Sequence, residues 1–165
     1  MPGLLTLSPE LRTRLASAAA AVVVLLGLLP FQQAHAATLS WLDELNLWRS
    51  TAFLGPLTEN TTWSAGDYNH SVYMVKNNLV THYETPGTPY YTAAGDQAAQ
   101  NGNIEVSSTT SKTDAQAIDW WMGAPFHAMA MMDPRLTQTG FGSYREVKSG
   151  WQAGFTLDTL RGNSF

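Results

Sequence analysis

WMGAPFHAMAMMDPRLTQTGFGSYREV, residues 121–147, decides the fold class, because the apolar period changes within it. Up to Gly123 the chain steps helically: Thr113 and Gln116 have the spacing of a capping box, and Ile118, Trp121 and Met122 follow. Gly123 ends that helix. Pro125 opens a second, short one, since the N–H it lacks would be unpaired in a first turn anyway. Phe126 to Met132 is apolar enough to be buried, and Asp133-Pro134 closes it. After Gly140 the period is two: Phe141, Ser143, Arg145 and Val147 alternate with Gly142, Tyr144 and Glu146. Lys148-Ser149-Gly150 then turns the chain into Trp151 to Leu157 as an antiparallel hairpin. Helices followed by a hairpin predict an α+β fold, with helices packed on an antiparallel sheet.

Two more helices precede this stretch. One is expected from about Ser40 to Ser50, with Asp43 three residues after Ser40 and Leu42, Leu45 and Trp48 near helical spacing; Gly55-Pro56 stops it. The other runs from about Thr62 to Asn78. Trp63, Asp67, His70, Met74 and Asn77 step along one side of it, and Asn77-Asn78 can cap its end. From Thr81 to Thr110 the composition shifts to Gly, Pro, Thr, Ser, Asn and Tyr, with turn signals at Thr85-Pro86-Gly87 and Asn101-Gly102-Asn103. This part reads as a long connection without regular structure, packed by Tyr83, Tyr90 and Tyr91.

The first 36 residues read as a secretory signal peptide: Arg12 and Arg14, an apolar run from Leu15 to Leu29, and the small-x-small site Ala34-His35-Ala36. The run is short of the roughly 20 residues that span a membrane, so no stable membrane insertion is expected after cleavage. Residues 37–165 are then a single domain. Its sparse, net-acidic charge argues against nucleic acid or an anionic membrane as partner. Cysteine is absent, which excludes disulfides, thiol nucleophiles, Cys zinc knuckles and iron–sulfur ligation. All six Trp lie in the mature part, where packing must do the work of disulfides.

Three His remain in the mature chain: His70, His82 and His127. His70, within an amphipathic helix, reads as a structural or surface residue. His82 and His127 sit at element boundaries, where binding groups are commonly displayed. No H-E-x-x-H, H-x-H or third ligand at fixed spacing accompanies them. Glu84 and Glu105 are the nearest carboxylates in sequence, and the simpler reading of each is a solvated loop charge. No G-x-S-x-G marks a nucleophile, and Gly140-Phe141-Gly142 opens a strand where a phosphate loop would open a helix. Trp120-Trp121 and Tyr90-Tyr91 could form a sugar platform or a lipid-facing wall, but core packing of the Trp pair and self-packing of the Tyr pair are the simpler readings.

Taken in order, the motifs resemble those of the CAP superfamily, which comprises cysteine-rich secretory proteins, antigen 5 and pathogenesis-related 1 and is also called SCP-like. The carrying residues are Leu45-Asn46-Leu47-Trp48-Arg49, Thr81-His82, Asn101-Gly102-Asn103-Ile104, Trp121 to His127, and Asp133-Pro134-Arg135-Leu136 to Gly140-Phe141-Gly142. The resemblance implies a three-layer α-β-α sandwich with an antiparallel sheet and a cleft holding two His, matched here by His82 and His127. In better-matched members two Glu complete that cleft, which can hold zinc. Here Gly102 stands at the position of the first Glu, and Met122 or Gly123 near that of the second. Without them a divalent metal at His82 and His127 needs water or other ligands, so weak binding is expected, with Glu84 or Glu105 as conceivable substitutes. The family's sheet has at least three strands against the single hairpin read above, which leaves open that the chain is a fragment.

The function that follows is a secreted, extracellular binding or interaction domain, its ligand or protein partner unidentified, with a degenerate two-His cleft and zinc as the candidate metal. Loss of the Glu pair also removes the obvious general base, which makes catalysis the less favoured reading. The alternatives are a metal-assisted hydrolase of cell-wall or protein substrates, and a lipid or glycan carrier.

Overall fold

The computed structural model of the protein describes residues 39–164. The expected signal peptide, residues 1–36, lies outside them. The elements are α1 (Trp41–Thr51), β1 (Thr58–Glu59), α2 (Thr61–Asn77), α3 (Ala93–Gln100), β2 (Gly102–Ser107), α4 (Asp114–Met122), α5 (Pro125–Met131), β3 (Gln138–Thr139), β4 (Phe141–Arg145) and β5 (Ala153–Asp158). Local chemistry sets most of their ends. The Ser40 hydroxyl accepts from the Asp43 amide, and the Asn60 side chain accepts from Thr62 and Trp63 at the start of α2. Asn78 closes α2 in the left-handed conformation, φ 56°, ψ 43°. Thr113 and Gln116 form the reciprocal capping box, and Pro125 occupies the first turn of α5.

The main sheet is antiparallel in the order β2-β5-β4, and β1 and β3 form a separate parallel pair. The hairpin is therefore β4 and β5, and β2 supplies a third strand. One sequence expectation is corrected here. The stretch 81–110 is not a structureless connection: it contains α3 and β2. Alanine, glycine and glutamine give α3 too little apolar contrast to show a period, although Thr92 caps it by accepting from Gly95 N at 2.9 Å. β2 does alternate, with Ile104 and Val106 set between Asn103, Glu105 and Ser107, but the run is short, lies among turn signals, and has its polar members Asn103 and Glu105 buried by the fold.

Alternation divides the sheet's faces. Phe141, Phe155, Leu157 and Ala153 point to one side, where they join Leu45, Ile118, Trp121 and Met131 from α1, α4 and α5 in the core. On the other side α2 crosses β4 and β5 so closely that the strands carry glycine beneath it. A Cβ at Gly154 would stand 2.8 Å from Ser71 O, and one at Gly142 would run into the Tyr68 backbone. The Ser71 hydroxyl, no longer than a methylene beyond its own backbone, donates to Gly142 O at 2.8 Å across the same gap. α3 packs against α2 on this side. The result is the expected α-β-α sandwich.

Arg49, 1% exposed, joins the ends of the α1 layer. Its guanidinium donates to Gly55 O at 3.0 Å, Met131 O at 2.8 Å, Asp133 O at 3.1 Å and Leu136 O at 3.2 Å. One turn earlier the Asn46 amide forms a two-way pair with Leu57, accepting from its N–H at 2.7 Å and donating to its C=O at 3.1 Å. Arg49→Met is expected to lose about 3 kcal/mol or more in urea unfolding, because buried carbonyls are left without donors. Arg49→Lys is expected to recover only part of it, and a wild-type midpoint in Arg49→Met would refute this role.

Asp67 in α2 is fully buried, and neither carboxylate oxygen has a hydrogen-bond partner. Burial, reinforced by Asp158 and opposed by Arg161, pushes its carboxyl well above the ordinary Asp value. The folded protein therefore keeps a proton that the unfolded chain releases at lower pH. The resulting stability is complete below the unfolded value and is lost as pH rises through the raised one. Unfolding midpoints should fall from mildly acidic to alkaline pH, and fall less steeply in Asp67→Asn; equal slopes would refute the assignment.

Candidate functional site

His82 lies on the turn that leaves α2, and His127 on the first turn of α5. The His82 ring is exposed, but its Nδ1 stands 2.8 Å from Ala99 O at the end of α3. Only an N–H can bond a carbonyl, so the proton of the neutral ring sits on Nδ1 and Nε2 presents a lone pair. His127 is half-buried, with the Trp120 ring edge-on to it at 5.9 Å between centroids. Its backbone oxygen accepts from the Asn103 amide of β2 at 3.2 Å. Burial first, and neighbouring His82 second, push the His127 imidazole below its ordinary value. The fold thus places His127 against β2 through Asn103, and His82 against the end of α3, the helix that leads into β2. Trp120, Tyr83, Phe126 and Met129 are exposed on the same elements or adjoining positions.

The carboxylates behave differently from the sequence expectation. Glu84, 3% exposed, is no solvated loop charge: its Oε1 lies 3.1 Å from His70 Nδ1 and its Oε2 accepts from Thr92 N at 2.8 Å. His70 is fully buried in α2, with Nε2 2.8 Å from Thr81 O. Burial pushes His70 down to about 4 and Glu84 up to about 7, so around neutral pH the pair holds a neutral imidazole and a carboxyl that shares its proton. Nothing in the sequence links these residues across one helix end and a turn. Glu105 is likewise buried and paired with Lys112, while its Oε2 has no partner. Burial raises its carboxyl and Lys112 opposes that.

Both conceivable replacements for the missing Glu pair are therefore engaged elsewhere. Among the described residues no group of three or more His, Cys, Asp or Glu side chains is arranged to hold a metal ion. Zinc held by protein alone wants four donors, and the donor set here is two imidazoles. That set suits a weakly held ion completed by water, and does not suit a tightly bound structural zinc. The Trp pair divides: Trp121 is core, its indole donating to Ile104 O at 3.2 Å, whereas Trp120 is 51% exposed. A separate concave surface is lined by Ser40, Thr110, Lys112, Thr113, Asp114 and Arg145, and neither His borders it. Among the described residues no helix is long and apolar enough to cross a membrane.

A profile of the cysteine-rich secretory protein family, CAP, matches residues 42–151. No curated protein matches the sequence. Among solved structures, an extracellular protein containing an SCP domain from Bacillus anthracis str. Ames is similar at 20% identity and TM-score 0.50, over 72% of this chain and 39% of that one. An outer surface protein of Borrelia burgdorferi is similar at 17% identity and TM-score 0.48, over 72% of this chain and 88% of that one. A cysteine-rich secretory protein from Staphylococcus aureus subsp. aureus Mu50 gives 15% identity and TM-score 0.41, over 78% and 40%. At this identity the likeness to the Bacillus protein is one of fold, and the chain spans well under half of that protein's length.

The placement of the two imidazoles has a direct signature. In metal-free protein the His127 ring should titrate below an ordinary His by NMR, and His82→Ala should move its midpoint upward by removing a neighbouring positive charge. A midpoint unmoved by His82→Ala would separate the two rings.

Proposed function

The chain belongs to the CAP family of cysteine-rich secretory proteins, and from that membership we propose that it is an extracellular binding domain whose two-imidazole site takes up a divalent metal weakly. The observation that carries the reading is the His82 ring, tied at Nδ1 to Ala99 O with Nε2 left open. Ligand imidazoles commonly have their second nitrogen held in this way, which sets the tautomer and orients the lone pair. Export is supported by the signal-like residues 1–36 and by the secretory character of the family. The natural ligand on this reading is an extracellular molecule or protein meeting the exposed Trp120, Phe126 and Tyr83 beside the two rings.

Binding is favoured over hydrolysis because the carboxylates near the site in sequence are committed to His70 and Lys112. A hydrolase would need a base free to take a proton from water. Calorimetric titration with zinc is expected to give one site with a Kd no tighter than about 1 µM, or about −8 kcal/mol. Both His82→Ala and His127→Ala should abolish it. Nanomolar affinity, or binding retained in either variant, would overturn the two-imidazole site.

A further inference from the structure

His82 stands on a turn with no strand or helix of its own, yet its ring must be held to one acceptor to be useful. Its neighbours supply the restraint. On the preceding side Thr81 O lies 2.8 Å from His70 Nε2, and on the following side Glu84 Oε1 lies 3.1 Å from His70 Nδ1. A single buried ring therefore grips the chain on both sides of His82. Other bonds hold the following side: Glu84 N donates to Asp96 Oδ1 at 2.8 Å, Thr92 N to Glu84 Oε2 at 2.8 Å, and Thr85 N to the Tyr73 hydroxyl at 3.1 Å. The ring is itself packed parallel to Tyr73, 6.1 Å between centroids. Gly95 leaves the space for the Glu84 carboxylate, which a Cβ there would strike.

We propose that the buried His70–Glu84 pair is the positioning device of the candidate site, clamping the turn 81–85 so that His82 keeps its Nδ1 on Ala99 O and its Nε2 open. The clamp rests on the reading of His82 as a site residue. Neither His70 nor Glu84 touches the ligand; both act through the backbone. Imidazole suits the task because its two nitrogens lie on opposite sides of a rigid ring and can serve two partners at once. The tautomer that Ala99 O selects at His82, with the proton on Nδ1, is the one less favoured by a free histidine side chain. It therefore reports whether the turn is held.

The test is long-range proton–nitrogen NMR on the metal-free protein at about pH 7, where an ordinary His is mostly neutral and the Glu84 carboxyl still holds part of its proton, combined with titration by zinc alone. The wild type should show His82 with its proton on Nδ1. Glu84→Ala should turn this into a mixture of tautomers and weaken zinc uptake about 10-fold or more. Glu84→Gln should restore both, since its amide can donate to His70 Nδ1 and accept from Thr92 N. An unchanged His82 tautomer in Glu84→Ala overturns the clamp. So does a wild-type His82 protonated on Nε2, a result that requires no variant to fold. If no form of the protein binds zinc, the metal-binding function fails while the tautomer measurements still decide the clamp.

Discussion

A buried guanidinium with only backbone oxygens for partners holds the α1 layer together. Arg49 reaches carbonyls of the loop after α1, of the end of α5 and of the chain that leads into β3. Burial lowers its pKa, and the Asp133 charge opposes that shift. Each charge-assisted hydrogen bond is worth about 1.5–3 kcal/mol, which makes four of them enough to offset the desolvation of one cation. No hydrophobic residue could replace this, because the ends of three segments would be left with buried, unpaired carbonyls. Through this node α5, and with it His127, takes a fixed position relative to α1.

The opposite layer is fixed by closeness of approach. Gly142 and Gly154 remove side chains from the strands beneath α2, and Ser71 bridges the remaining gap to Gly142 O and to the Thr156 hydroxyl. α2 is thereby set on the sheet at the height that places His70 beneath the turn 81–85. The candidate site draws on both layers: His82 stands on the turn after α2 with its ring tied to Ala99 O, and His127 stands on α5 with its backbone oxygen tied to Asn103 of β2. A chain without disulfides gains its rigidity here from buried polar bonds as much as from the aromatic core.

Burial of ionisable groups is the recurring feature of the molecule. Asp67, His70, Glu84, Glu105 and Asp158 are all inaccessible, and burial is the leading cause of each one's shift toward its neutral form. Such groups are costly, and they persist where geometry rewards them with partners. The Glu84 carboxyl has two such partners, His70 Nδ1 and Thr92 N, whereas the Asp67 carboxyl has none from side chain or backbone.

The amino-acid sequence by itself determined the elements whose causes are local. The caps at Ser40, Thr113 and Asn78, the proline that opens α5 and the period-two hairpin all depend on residues a few positions apart, and each stands where its chemistry predicts. The motif order around Trp48-Arg49, Thr81-His82 and Trp121 to His127 likewise carried the family, and it singled out the two imidazoles as candidates. Only the tertiary structure decided α3 and β2, because an alanine-rich helix and a strand with buried Asn103 and Glu105 acquire their character from the surfaces that cover them. It alone decided the roles of His70, Glu84 and Arg49. Burial and hydrogen-bond partnership are properties of the assembled layers, and a residue's charge in the sequence says nothing of the partner that the fold will place beside it.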